Sequence, residues 1–148
     1  MERAQSLPNL SNLQIGMIAN QLGALNYVKG NYSASVKEYS KAFELLENED
    51  DLYQKALALN GRGLIYLSQH AYAQAASIFK QCVEINLARQ DSLSLGANYL
   101  NLGISLSDLG QYKEAMEALV KGYDFTTNFQ ESIQRMMVIN RQGQIQLE

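Results

Sequence analysis

The sequence predicts an all-α solenoid of helix-turn-helix repeats, and three observations carry that reading. Gly23, Gly63, Gly103 and Gly143 stand at an unbroken interval of forty residues. Tyr32, Tyr72 and Tyr112 keep the same interval, each nine residues after its glycine. Within each interval, apolar residues recur at the three-and-four spacing of one helix face, first in one segment and then in a second. A period of about 20 to 50 residues marks a repeat architecture, in which each unit buries its apolar face against its neighbours.

The elements follow in order. Residues 1–10 read as an N-terminal extension and 11–148 as the repeat domain. Its units fall at about 11–50, 51–90 and 91–130, followed by a C-terminal half unit or capping helix at 131–148. Ser11, Asp51 and Asp91 stand where the first helix of each unit begins, and their side-chain oxygens suit the free N–H groups of a first turn. Glu131 takes the equivalent place in the half unit. Leu52, Ala56, Leu59, Gly63 and Tyr66 share one face of such a first helix; Ala75, Ile78, Phe79, Cys82 and Ile85 share one face of the second. Gly30, His70 and Gly110 hold the turn between the two. Helices are expected at about 11–28, 32–48, 51–68, 72–89, 91–108, 112–128 and 131–146.

A glycine inside a helix costs about 1 kcal/mol relative to alanine, so its recurrence at one helical position calls for a compensating gain. Close helix approach supplies it. The glycine column stands opposite small residues, Ser35, Ala75 and Ala115, and the large residues Tyr39, Phe79 and Leu119 fill the space beside that contact.

Composition narrows the function classes. The chain of 148 residues is 47% hydrophobic and 18% charged, which suits a globular domain and excludes collagen-like, disordered and membrane classes. Its net charge is −3 and its basic residues lie singly, so no stripe exists to track a phosphate backbone, and nucleic acid is not an expected partner. One Cys and one His exclude a disulfide framework and a multi-ligand zinc site, and no cofactor is expected. The start, MERAQSLPNLSNLQ, lacks the apolar core of a signal peptide, and no apolar run approaches a membrane span. A cytoplasmic protein that does not engage membranes is expected.

Catalysis finds no candidate. Cys82 and His70 could act as nucleophile and base only within hydrogen-bond reach of each other, and Cys82 lies twelve residues after His70, of which ten in helix span roughly 15 Å. Cys82 reads as a small core residue and His70 as a surface turn. The acidic run Glu47, Glu49, Asp50 and Asp51 lacks the alternating ligands and turn glycine of a calcium loop, and it precedes a helix, where negative charge is favoured. A non-enzymatic protein is therefore expected.

The columns resemble those of the tetratricopeptide repeat family, in the variant whose unit is forty residues long. The third unit offers Tyr99, Leu102-Gly103, Leu106, Gly110, Tyr112, Ala115 and Leu119. The first offers Leu22-Gly23, Gly30, Tyr32, Ser35, Tyr39 and Ala42; the second offers Gly63, Tyr66, Tyr72, Ala75 and Phe79. Asn26, Arg62, His70 and Gly122 depart from the family pattern. The resemblance implies a right-handed solenoid whose first helices line a concave groove, and a non-catalytic module that binds a partner peptide or helix there. The implied groove positions are Asn20, Ala24 and Tyr27; Asn60, Leu64 and Leu67; Leu100, Ile104 and Ser107; and Asn140, Gln144 and Leu147, with Asn101 adjacent. Asparagine is a modest helix former whose amide both donates and accepts, which suits it to address a peptide backbone.

A rival expectation is a self-associating scaffold, a homodimer formed through the C-terminal helix or through the groove. Met136, Ile139 and Gly143 lie in the half unit with no second helix to cover them, so weak homodimerisation through residues 131–146 is expected as the alternative.

Overall fold

The computed structural model describes the backbone of residues 9–137 and the side-chain environments of residues 9–127. Among these residues the secondary structure is entirely helical: α1 (Asn12–Val28), α2 (Tyr32–Leu45), α3 (Leu52–Ser68), α4 (Tyr72–Arg89), α5 (Ser92–Asp108) and α6 (Tyr112–Met137). The fold class is the expected all-α helical-repeat solenoid. First helices begin at Asn12, Leu52 and Ser92, and second helices at Tyr32, Tyr72 and Tyr112. The anticipated start signals operate at each first helix. Ser11 and Gln14 form a reciprocal capping box. Asp51 Oδ1 accepts from the Gln54 N–H at 3.0 Å, and Asp91 Oδ1 accepts from the Ser94 N–H at 3.0 Å. Turns use left-handed backbone at the predicted positions, with φ of +80° at Gly30, +81° at Gly110 and +60° at His70.

The Ser94 main-chain N–H, the Ser94 hydroxyl and the nearby Arg89 guanidinium hold the Asp91 carboxyl below its ordinary range. A depressed folded-state value stabilises the fold above the unfolded value of about 3.9, and that contribution is lost as pH falls through the lower folded value. Asp91→Ala should therefore cost about 1 kcal/mol near neutral pH. Urea titrations at falling pH should show the gap between parent and variant closing as the carboxyl protonates.

The chain divides after Ile65 into two compact units. In the first, α1 packs on α2 through the predicted small-residue contact. The Ser35 hydroxyl donates to the Gly23 carbonyl at 2.6 Å, and a Cβ on Gly23 would lie 2.8 Å from the Tyr39 ring. One turn pair earlier, Leu46 covers Gly16, and Leu46 joins Ala19, Ala42 and Ala58 in a sealed cluster flanked by Leu13 and Phe43. Tyr39 is held from the other side as well, because its ring also lies against the backbone of Gly61 in α3. Burial, and then the neighbouring Tyr27, raise its phenol pKa.

In the second unit, α4 buries Ala75, Ile78, Phe79 and Cys82, α5 buries Leu95, Leu102 and Leu106, and α6 contributes Ala115 and Ala118. Gly103 faces Leu119 and the Ala115 carbonyl, with a Cβ placed 2.5 Å from Leu119 Cγ and 3.2 Å from that oxygen. Gly122 admits α5 closely enough that a Cβ would meet the Leu100 backbone nitrogen at 2.9 Å. A buried amide pair ties α4 to α5: Asn86 Nδ2 donates to Asn98 Oδ1 at 2.6 Å, and Arg89 Nη1 donates to Asn86 Oδ1 at 2.6 Å. Arg89 also pairs with Asp91 at 3.2 Å.

Two local expectations change. The predicted break between helices near 128–131 is absent: α6 runs from Tyr112 to Met137 as one helix, and Glu131 lies inside it. The stretch from Tyr123 to Gln130 holds neither Gly nor Pro, and Thr126 returns its hydroxyl to the Gly122 carbonyl at 3.0 Å and so stays within the helix. By contrast, Gln90 ends α4 in left-handed backbone with φ of 55°, just before the Asp91 cap. The second change concerns Asn26 and Arg62. Asn26 donates to its own helix at the Leu22 carbonyl, 2.9 Å, and Arg62 is accommodated half-buried in a leucine slot with its Nε unpaired.

Candidate functional site

Capping at Ser11 and Asp51 sets the phase of α1 and α3, and that phase decides which side chains share a face. In the first unit α1 and α3, with Tyr39 of α2, enclose a cavity of ≈ 370 Å³. From α1 come Met17, Asn20, Gln21 and Ala24. From α3 come Tyr53, Gln54, Leu57, Asn60, Gly61 and Leu64. Four residues anticipated from the groove columns, Asn20, Ala24, Asn60 and Leu64, are thus brought onto one cavity. Met17, Tyr53, Gln54 and Leu57 were not anticipated, although Met17 precedes Asn20, and Leu57 precedes Asn60, by the three residues that keep a helix stripe on one face.

Asn20 is only 4% exposed. Its Nδ2 donates to the Gln54 main-chain carbonyl at 3.0 Å and to Gln54 Oε1 at 2.9 Å. The donor half of this amide, expected to address a partner's backbone, therefore ties α1 to α3. Its Oδ1 is buried and has no hydrogen-bond partner. The main-chain carbonyl of Gln54 can only accept, which fixes the amide orientation and leaves oxygen as the unsatisfied atom. Such an atom costs about 1–3 kcal/mol when buried without a partner.

The remaining anticipated positions are distributed as follows. The Tyr27 ring faces Tyr32, with centroids 5.6 Å apart. Leu67 is half-buried in α3, beyond the division between the units. In α5, Ile104 is exposed, Ser107 is half-buried and Leu100 packs over Gly122. Asn101 is half-buried, and its carbonyl accepts the Ser105 hydroxyl at 2.9 Å. Asn140, Gln144 and Leu147, like Ile139 and Gly143, lie outside the described residues, and Met136 falls near the end of α6.

The residues weighed for catalysis stand apart. Cys82 is fully buried, and burial pushes its thiol pKa up to about 12, where no nucleophilic thiolate is present at neutral pH. His70 is exposed at its turn, with Nδ1 2.7 Å from the Tyr72 hydroxyl. Among the described residues, no three His, Cys, Asp or Glu side chains group as metal ligands, and no helix is long and apolar enough to cross a membrane. Of the acidic run, Asp51 serves as a cap, while the Glu47 carbonyl accepts from Lys55 Nζ at 3.0 Å.

Comparisons with known proteins bear on the family and the fold. A tetratricopeptide repeat family model matches residues 14–88, and a second tetratricopeptide repeat model matches residues 97–128. Among curated proteins, the heat-shock protein cognate co-chaperone sgt12 of Aspergillus fumigatus is 34% identical over 102 residues, which is 68% of this chain and 28% of that protein. The small glutamine-rich tetratricopeptide repeat-containing protein 2 of Mycosarcoma maydis is 34% identical over 99 residues, 65% of this chain and 26% of that protein. The chain thus spans roughly a quarter of the length of these relatives. Among solved structures, the apo form of RapI superposes with a TM-score of 0.78 at 13% identity, covering 87% of this chain and 47% of that one. The N-terminal domain of stress-induced protein-1 from C. elegans does so with a TM-score of 0.67 at 14% identity, covering 79% and 88%. At these identities the two structures support the fold alone.

Proposed function

The chain belongs to the tetratricopeptide repeat family, and from that premise we propose that it is a non-catalytic module that holds a partner protein's peptide on the groove positions of its first helices. The observation that carries this reading is the first-unit cavity, where Asn20, Ala24, Asn60 and Leu64 meet although Asn20 and Asn60 come from different repeats. A cavity that collects polar amides beside apolar side chains is the form of a recognition site. Exposed Ile104 extends the same column in α5. Two of the similar proteins are named as a co-chaperone and a stress-induced protein, and a role beside other proteins fits those names. The proposed setting is cytoplasmic, in keeping with a single buried free cysteine. The forty-residue unit belongs to this proposal as the spacing that sets the groove columns.

An array of overlapping peptides probed with the purified chain tests the reading. Asn20 has an internal structural bond, so the groove variant is Asn60→Ala with Leu64→Ala, and exposed Lys80→Ala is the control. Loss of a hydrogen bond and an apolar contact should weaken captured peptides by roughly tenfold or more, while Lys80→Ala leaves them unchanged. Equal loss from both variants sinks the groove assignment.

A second reading, self-association, is favoured by a separate observation. Tyr112, Met116, Val120 and Tyr123 form an exposed apolar stripe along α6. Met116 is 62% exposed, whereas its counterpart one unit earlier, Ala76, is 5% exposed. Pairing of two such stripes across a twofold axis would cover them. Light scattering over a concentration series separates the two readings: Met116→Glu abolishes a dimer formed this way and leaves peptide capture intact.

A further inference from the structure

α3 and α5 each bury one face against the second helix that precedes them. In α3 that face holds Ala58, which shares a sealed cluster with Leu46 of α2, and Ile65 continues it two turns on. In α5 the same columns hold Asn98, Leu102 and Ser105, all buried, and Asn98 accepts from Asn86 of α4. Both contacts join residues twelve apart, 46 to 58 and 86 to 98. Forty residues before Ala58 and Ile65, the face of α1 carries Ile18, Leu22 and Leu25, which are 44%, 41% and 50% exposed. Second helices show the converse. Ala76 and Val83 are buried in α4, the helix on which α5 packs, whereas their counterparts in α6, Met116 and Tyr123, are exposed. α6 runs on as one helix to Met137, so through that residue the chain does not turn back over this face as α5 turns back over α4.

Composition sets α1 apart from a helix made to face water. Its 17 residues hold no Asp, Glu, Lys or Arg. α5, which packs on α4 and on α6, holds only Asp108, at its last position. α1 thus has the make-up of an interior helix while three large aliphatic side chains on one stripe meet solvent. The two open faces are also of complementary kinds: one is the face that first helices bury, the other the face that second helices offer them. A pair of α6 faces would leave the α1 stripe uncovered, whereas α1 on α6 covers both.

We propose, resting on the self-association reading, that a second copy of this chain docks the α1 face of Ile18, Leu22 and Leu25 on the α6 face of Met116, Tyr123 and Thr126, so that copies join head to tail and not across a twofold axis. The register follows from the internal contacts. Twelve residues after Thr126 falls position 138, which is residue 18 carried on by three periods of forty, so Ile18 of the second copy lies opposite Thr126. Such a contact is heterologous: a pair retains one open face of each kind and takes up a third copy. Its affinity comes from burial of uncharged aliphatic surface, so salt screening has little to act on.

Light scattering on the full chain, from about 5 to 500 μM, reads the mass. The parent should pass beyond the mass of a dimer as concentration rises, and should still do so in about 0.5 M salt. A glutamate at either face enters an apolar contact with no countercharge, so Ile18→Glu alone and Met116→Glu alone should each weaken association at least tenfold. Mixed in equal amounts, the two variants should associate again, because the first keeps its α6 face and the second keeps its α1 face. Their product should stop at one copy of each. Both side chains are exposed in the single chain, so each variant should melt with the parent. Leu25→Glu and Tyr123→Glu form an independent second pair with the same expected recovery. A dimer that Met116→Glu abolishes and Ile18→Glu leaves intact assigns the contact to paired α6 faces, which overturns the head-to-tail order and leaves self-association standing. Mixtures that stay monomeric for both pairs overturn the order likewise. A parent that remains monomeric throughout overturns this inference and the self-association reading together.

Discussion

Gly61→Leu should be among the most destabilising single substitutions in the first unit, although it replaces a poor helix former with a good one. Helix propensity alone favours the change by about 0.8 kcal/mol or slightly less. Packing opposes it. The Tyr39 ring lies directly on the Gly61 backbone in α3, and a Cβ on Gly23 in α1 would meet the other part of the same ring at 2.8 Å. The ring is held between two backbones, and overpacking of this kind costs about 1–3 kcal/mol. Thermal melts should place Gly61→Leu well below the parent, with Gly61→Ala between them. A double-mutant cycle identifies the cause: in a Tyr39→Ala background the space opens, so Gly61→Leu should lose most of its penalty. A variant that melts at or above the parent, or a penalty unchanged by Tyr39→Ala, would refute the sandwich.

Gly61 also shows where reading the sequence stopped. It lies outside the forty-residue glycine column, between Asn60 of the groove column and Arg62, which departs from the family pattern. The repeated features were legible because each repeats a local physical need. Caps at Ser11, Asp51 and Asp91 satisfy first-turn N–H groups, left-handed turns sit at Gly30, His70 and Gly110, and Gly23 and Gly103 do face second helices. What was not legible depends on choices between equally suitable partners. Asn20 was assigned to a helix face correctly, but its pattern could not say whether its N–H groups serve a ligand or Gln54, since both offer a carbonyl. The helix end expected near residue 128 is absent for a related reason. The preceding repeats promise a turn near residue 130, yet Glu131 stands where Asp91 caps the helix one unit earlier, and α6 continues through it.

The buried amide pair of the second unit should show the largest effect that no apolar pattern forecasts. Asn86 and Asn98 are almost wholly enclosed, and the first donates to the second while accepting from Arg89. Asn86→Leu removes both roles at once: Asn98 Oδ1 loses this donor inside the fold, and Arg89 Nη1 keeps Asp91 but loses its shorter bond. At about 1–3 kcal/mol for each buried polar atom deprived of a partner, the expected cost is roughly 2–4 kcal/mol. The single change Asn98→Leu should be similarly costly, because it leaves the Asn86 amide N–H unpaired. Replacing both removes the mutual need, so Asn86→Leu with Asn98→Leu should unfold later than either single variant in urea. Simple addition of the two losses would show that the amides contribute independently and do not act as a pair. The pair matters for binding as well as stability, since it fixes the register of α5 on α4, and α5 carries Leu100, Asn101 and Ile104. Single amide variants should therefore alter contacts at exposed Ile104, which touches neither asparagine in sequence, and the double variant should restore them together with stability.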